Sequence, residues 1–201
     1  MNPIRLTQQD ALLIVDVQND FLPGGSLAVA GGDQVIPVLN RYIARFERAS
    51  LPIIATRDWH PADHCSFKSQ GGLWPDHCVQ GSKGAEFSAT LALPPSAWVV
   101  SKDVLPQQST YSGFEQTDLA ERLHSSGVVR LFIGGIATDY CVLHTVEDAL
   151  HAGFSVMLLT DAIRAVELHP GDGDLALRDM CDCGAQPMVL GDIQDEGHGG
   201  E

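Results

Sequence analysis

Three residues in this chain are of the types that acyl transfer through a thiol requires: Asp16 as acid or base, Lys102 as amine and Cys141 as nucleophile. Cys141 follows the small-residue run Gly134-Gly135-Ile136-Ala137-Thr138, and it is predicted in the first turn of a helix capped by Thr138 or Asp139. Unpaired N–H groups and the helix dipole favour a thiolate there. A turn of small residues also lets backbone N–H groups approach a carbonyl oxygen, where each such donor is worth on the order of 3 kcal/mol of barrier. Lys102 is one of three lysines and closes an apolar stretch, so it requires a counter-charge, for which Asp16 is a candidate. Each residue taken alone also has an ordinary reading: Cys141 as a small packing residue, Asp16 as a turn cap, Lys102 as a surface lysine.

A second constellation is Asp58-x-His60, two metal-ligand types on one side of an extended segment, with His77 able to close a three-residue set and water to fill the open positions. Such a set suits zinc, iron or manganese, and the residues do not choose among them. His64 is either a fourth ligand or a donor behind the ligands, whereas His124, His144, His151 and His169 fall on or near predicted helices as packing or surface residues. Phe21, Trp74 and Tyr111 lie in irregular segments, where large aromatics either anchor loops or wall a pocket for a flat ring.

The elements that must hold these residues follow an α/β rhythm. Apolar runs of strand length are predicted at 11–17, 51–57, 97–101, 128–133, 154–160 and 187–190, and helices at 33–49, 116–126, 139–152 and 173–183. Strands apolar on both faces imply a parallel sheet covered by helices, hence a three-layer α/β/α architecture with a mostly parallel, Rossmann-like sheet of about six strands. Open sheets of this kind bind ligands beyond the carboxyl ends of their strands. The residues at those ends are Asp16, then Asp58 and His60, then Lys102, then the turn leading to Cys141. The excursion at 58–96, roughly 40 residues against a usual connection of about 4 to 6, carries His60, His64 and His77 and is the expected metal-binding loop. The stretch after 192 is polar and Gly-rich and is expected to fray.

Composition narrows the function further. With 201 residues, 44% apolar and 19% charged, the chain reads as one globular domain over 1–201. No apolar run reaches the roughly 18 residues of a membrane span. A formal charge of −14 repels nucleic acid and anionic lipid, leaving a small-molecule substrate as the expected partner. Five unevenly spaced cysteines and no signal-peptide pattern point to a reduced, cytoplasmic protein. There is no Gly-x-Gly-x-x-Gly after the first strand and no phosphate-binding Gly-Lys-Ser/Thr loop, which argues against a nucleotide ligand. Self-association into a homo-oligomer is left open.

Several separate motifs, in order along most of the chain, resemble one family. They are Val15-Asp16-Val17-Gln18-Asn19-Asp20-Phe21 with Gly24-Gly25-Ser26-Leu27, Arg57-Asp58-Trp59-His60-Pro61, Trp74-Pro75-Asp76-His77-Cys78-Val79 with Gly81, and Gly135-Ile136-Ala137-Thr138-Asp139-Tyr140-Cys141-Val142. This pattern is similar to the cysteine amidohydrolases of the isochorismatase-like superfamily, and the metal set resembles its nicotinamidase/pyrazinamidase branch. The resemblance implies a hydrolase that converts nicotinamide to nicotinate and ammonia through a cysteine thioester, with pyrazinamide as a further substrate and a role in NAD salvage. The alternative is a related amidase acting on another small amide or ureido compound. It also implies a catalytic triad of Asp16, Lys102 and Cys141, an oxyanion hole from the N–H groups of Ala137 and Cys141, and a cis peptide at Ile136-Ala137. One divalent ion, zinc ahead of iron or manganese, would sit on Asp58, His60 and His77 beside the substrate ring. His64 lies closer to His60 than the additional histidine ligand of some members. Phe21, Leu27, Trp74, Tyr111, Ile136 and Ala137 match positions that bind the substrate, and Tyr140 stands where some relatives carry histidine.

Overall fold

The computed structural model describes residues 3–194. Six parallel strands form one sheet: β1 (Asp10–Val15), β2 (Ile53–Asp58), β3 (Trp98–Lys102), β4 (Arg130–Ile136), β5 (Ser155–Arg164) and β6 (Gln186–Met188), in the order β3-β2-β1-β4-β5-β6. The order reverses between β1 and β4, and such a reversal opens a crevice above the carboxyl ends of those two strands. β1 is buried throughout because both of its faces are covered. Leu12 and Ile14 enter the core on one side; Ala11, Leu13 and Val15 enter the core on the other.

Helix α1 (Val35–Arg48) covers the first side with Leu39, Tyr42, Ile43 and Phe46, whose three- and four-residue spacing forms one apolar stripe. Helices α2 (Leu119–Ser125), α3 (Leu143–His151) and α4 (Asp172–Asp182) cover the second side through Leu119, Leu123, Val146, Ala149 and Met180. Among the described residues, no helix is long and apolar enough to cross a membrane.

The excursion between β2 and β3 contains a short 3-10 turn at Lys68–Gln70 and three isolated bridges, His60 with Val79, Phe67 with Trp74 and Phe87 with Gln18. Its Cys78, Ala85 and Leu91 pack into the α1-side core, so this long segment completes the layer that a helix would otherwise supply. The end of the described chain departs from the expected fraying. Ile193 is buried and bridges Ile4, and the Gln194 N–H bonds Ile4 O at 2.9 Å; the remainder of the predicted flexible tail lies outside the described residues.

Element ends differ from expectation for local reasons. β1 stops at Val15 because Asp16 takes φ +49, outside the extended region. α2 begins at Leu119, not Gln116, because Gln116 has φ +56, which no right-handed helix accommodates. β5 continues to Arg164 because its second half pairs again with Gly135 and Ile136 after an irregularity in β4. Gly135 sits there with φ +133, and a Cβ on it would lie 2.1 Å from Val15 O. The backbone conformation and the steric clash both require glycine. Gly135→Ala is expected to lower stability by on the order of 3 kcal/mol, read as a lower urea midpoint at unchanged slope. A midpoint equal to that of the wild type would refute this packing argument.

Candidate active site

Neighbouring strand ends place the acid and the amine together. Asp58 and Lys102 are register partners on β2 and β3, and Asp16 follows β1 on the other side of β2. Lys102 is almost fully buried; its Nζ lies 2.9 Å from Asp16 Oδ2, contacts Asp58 Oδ1 and reaches Cys141 Sγ at 3.5 Å. Thr56 donates its hydroxyl to Asp16 Oδ1 at 2.7 Å, so the base is held from both sides. The predicted acid, amine and thiol thus form one buried cluster, and the counter-charge to Lys102 is two carboxylates.

Burial sets the protonation of this cluster. It opposes the Lys102 charge, but Asp16, Asp58 and Cys141 outweigh it and hold the ammonium well above its ordinary pKa. Burial raises Asp16, and neighbouring Asp58 adds to that, against the pull of Lys102. Burial also drives the Cys141 thiol well up, with Asp16 and Asp58 reinforcing it and Lys102 opposing. Burial and the two carboxylates therefore oppose the thiolate that the helix terminus and Lys102 favour.

The helix terminus itself also differs. Thr138–Val142 winds as one π-helical turn ahead of α3, and neither Thr138 nor Asp139 caps it; Ala137 holds the cap position without a side-chain bond. The Asp139 carboxylate instead accepts from the N–H groups of Val166 and Glu167, both at 2.9 Å. The Ile136-Ala137 peptide is cis, as the resemblance implied.

Beside this cluster, Asp58, His60 and His77 bring one ligand atom each within 4.8 Å of one another, all buried. Asp58 Oδ2 lies 3.6 Å from His60 Nε2 and 3.9 Å from His77 Nε2, while its Oδ1 is taken by Lys102. His77 Nδ1 bonds Pro75 O at 2.7 Å, leaving Nε2 for the group. Neither ring nitrogen of His60 has a hydrogen-bond partner although the ring is buried. One carboxylate, two imidazoles and an unsatisfied buried donor set fit a divalent cation. Although burial opposes ionisation of Asp58, Lys102, His60 and His77 together hold its carboxyl far below the usual range. Burial lowers His77, which favours the neutral, ligating ring. His64 stands outside this group: its Nδ1 lies 2.7 Å from Ser66 Oγ and its Nε2 contacts Gln108 O.

Both constellations open into one cavity, bordered by Cys141 and by Asp58, His60 and His77. Phe21, Leu27, Trp74, Tyr111 and Ala137 line it. Ile136 does not; its side chain enters the α1-side core, with Cδ1 3.3 Å from the point a Cβ on Gly32 would occupy. Asp16 and Lys102 lie behind the cavity wall.

Four further residues support the site, and of these only Tyr140 is singled out by the sequence. Gln18 is fully buried and bonds the backbone of Asp58 with both ends of its amide, fixing the strand end that carries the ligands. Asp20 accepts from Cys78 N at 2.7 Å and from Ser26 N at 3.2 Å, tying the segments of His77 and Leu27 together. Tyr140 packs on Trp74 and Tyr111 at the cavity, and Asp103 borders it. An acid directly after Lys102 was the one visible signal for Asp103. Gln18 and Asp20 offered none beyond their place in a motif.

An all-parallel sheet that gathers an acid, an amine and a thiol at its carboxyl rim, next to a three-donor metal pocket, defines a class of α/β protein suited to thiol-mediated acyl transfer. The model of the isochorismatase domain matches residues 10–191. The nicotinamidase of Escherichia coli (strain K12) is 39% identical over 92% of this chain and 97% of that protein. The pyrazinamidase of Pyrococcus horikoshii, solved in complex with zinc, superposes with a TM-score of 0.87 at 47% identity over 90% of this chain and 99% of that one. PnC1 from L. infantum, solved in complex with nicotinate, gives a TM-score of 0.88 at 38% identity over 96% and 100%. This chain belongs to the isochorismatase family.

Proposed function

We propose that this protein is a nicotinamidase: it hydrolyses nicotinamide to nicotinate and ammonia, accepts pyrazinamide, and contributes to NAD salvage. The observation that carries the reading is the single cavity in which the Cys141 thiol opens beside the Asp58, His60 and His77 donors between aromatic walls. Relatives named nicotinamidase and pyrazinamidase, similar over nearly the whole chain, support the same substrate class. A cytoplasmic location is part of this reading and rests on five free cysteines.

In the proposed reaction Asp16 takes the proton of Cys141 as Sγ attacks the carboxamide carbon. The C–S bond forms and the carbonyl electron pair moves onto oxygen, where the N–H groups of Ala137 and Cys141 stabilise it. The carbon–nitrogen bond then breaks, and ammonia leaves with the proton held by Asp16. Asp16 next deprotonates water, which attacks the thioester; the C–S bond breaks, nicotinate departs and Cys141 recovers its proton. Lys102 stays cationic throughout, fixing Asp16 and opposing the negative charge on sulfur. Asp58, His60 and His77 would hold a divalent ion, which would supply a Lewis acid beside the substrate ring. Phe21, Leu27, Trp74 and Tyr111 hold the ring, so that the carboxamide is presented to Cys141.

The test is ammonia release from nicotinamide beside a panel of small amides and ureido compounds at equal enzyme. Preference for nicotinamide is expected; turnover only of another amide would replace the substrate while keeping the chemistry. Stripping the metal is expected to lower kcat/KM by on the order of 10²-fold, the scale of losing a positioning contact, with recovery on adding zinc. Recovery with iron or manganese but not zinc would reassign the ion, and full activity without metal would remove it from the reaction.

A further inference from the structure

The two imidazoles of the metal pocket are supported unequally. His77 is fixed by its Nδ1 bond to Pro75 O, whereas His60 Nδ1 has no hydrogen-bond partner in a buried setting. That nitrogen faces Asp103, whose Oδ2 lies 4.0 Å away, on the side of the ring opposite Asp58. Asp103 is itself buried, and its Oδ1 is anchored by Thr110 N at 2.7 Å, which leaves Oδ2 as the oxygen turned toward His60. The gap exceeds a hydrogen bond by about 1 Å, the size of a side-chain adjustment and too narrow to admit a water. His64 lies tilted against His60 with ring centroids 4.2 Å apart and Phe67 meets it edge-on at 5.5 Å, so the ring has little other freedom.

We propose that Asp103 is a positioning residue that accepts a hydrogen bond from His60 Nδ1–H and thereby holds His60 in the tautomer whose Nε2 is bare for the divalent ion. Ligating histidines characteristically donate their second N–H to a carboxylate or carbonyl, which orients the ring and raises its basicity. Pro75 O does this for His77, and Asp103 does it for His60. Asp103 does not touch the ion in this arrangement. The inference rests on the reading of Asp58, His60 and His77 as ligands.

The test uses the full-length protein with zinc. Long-range proton–nitrogen NMR of the histidine-labelled, zinc-loaded wild type is expected to show His60 protonated at Nδ1 with a deshielded, hydrogen-bonded proton. Protonation at Nε2 would overturn the proposal without any variant. Asp103→Asn keeps the shape and an oxygen for Thr110 N, so its expected effects are a shift of that resonance and a 10-fold or greater weakening of zinc, measured by competition with a chromophoric chelator. Unchanged zinc affinity and an unchanged His60 resonance would overturn it. His60→Ala is the separate arm: wild-type zinc affinity in that variant would overturn the ligand reading itself.

Discussion

Replacing Cys141 by alanine is expected to abolish nicotinamide turnover, with a loss of roughly 10⁶-fold in kcat, the scale seen when the nucleophile of an acyl-enzyme pathway is removed. The reason is positional as well as chemical. Cys141 Sγ is the sulfur bordering the cavity, 3.5 Å from Lys102 Nζ and within 4.8 Å of a ligand oxygen of Asp16. Cys78, which is fully buried, belongs to the α1-side core and does not line the cavity. The variant should fold, because the Lys102 contacts to Asp16 and Asp58 remain and only one sulfur is lost from a small side chain. Zinc binding should likewise persist, since Asp58, His60 and His77 are untouched. Acid-quenched wild type under turnover should carry the nicotinoyl mass on the peptide containing Cys141, and the alanine variant should carry none. Turnover by the variant at even a tenth of the wild-type rate would exclude the covalent route and leave water as the attacking group.

The legible part of this site was the part encoded at strand ends. Continuous apolar runs of strand length end in Asp16, Asp58 and Lys102, and a parallel sheet must bring such ends to one rim, so the cluster followed once the sheet was assigned. The motifs then supplied roles that spacing alone left open. Less was visible where local conformation breaks a pattern. The residues from Thr138 onward have the same apolar spacing whether the first turn is α or π, so the π-helical turn and the missing side-chain cap left no trace in composition. Ile136 was expected to touch the substrate with Ala137, but it extends β4 and its side chain enters the α1-side core. Asp103 was hidden for a different reason: its anchor, Thr110, lies across an irregular segment whose path no periodicity describes. At Cys141 the helix-end position favours a thiolate, while burial and two adjacent carboxylates, visible only in three dimensions, push the thiol's pKa up.

Lys102→Met is expected to cost both activity and stability, and the stability change distinguishes an electrostatic keystone from a simple catalytic amine. Lys102 is fully enclosed and faces two carboxylates, Asp16 and Asp58, that share no other cationic side chain from lysine or arginine in the described contacts. Methionine fills a similar volume, so the packing penalty is small. What remains is two buried acids without their compensating charge, and breaking a buried ion pair in this way costs about 3–5 kcal/mol. Urea unfolding of the metal-stripped protein should read that loss directly, because a bound cation on Asp58 would otherwise stand in for the ammonium. Turnover should fall as well, since the base loses the partner at 2.9 Å that fixes it and the sulfur loses its nearest positive charge. The decisive comparison is with the double variant Lys102→Met, Asp16→Asn, in which one of the two stranded charges is also removed. It should be more stable than Lys102→Met alone, because the two changes meet in one cluster and cannot act independently. If the double variant is instead less stable by the sum of the single losses, Lys102 contributes through packing, and the charge balance proposed for this site is wrong.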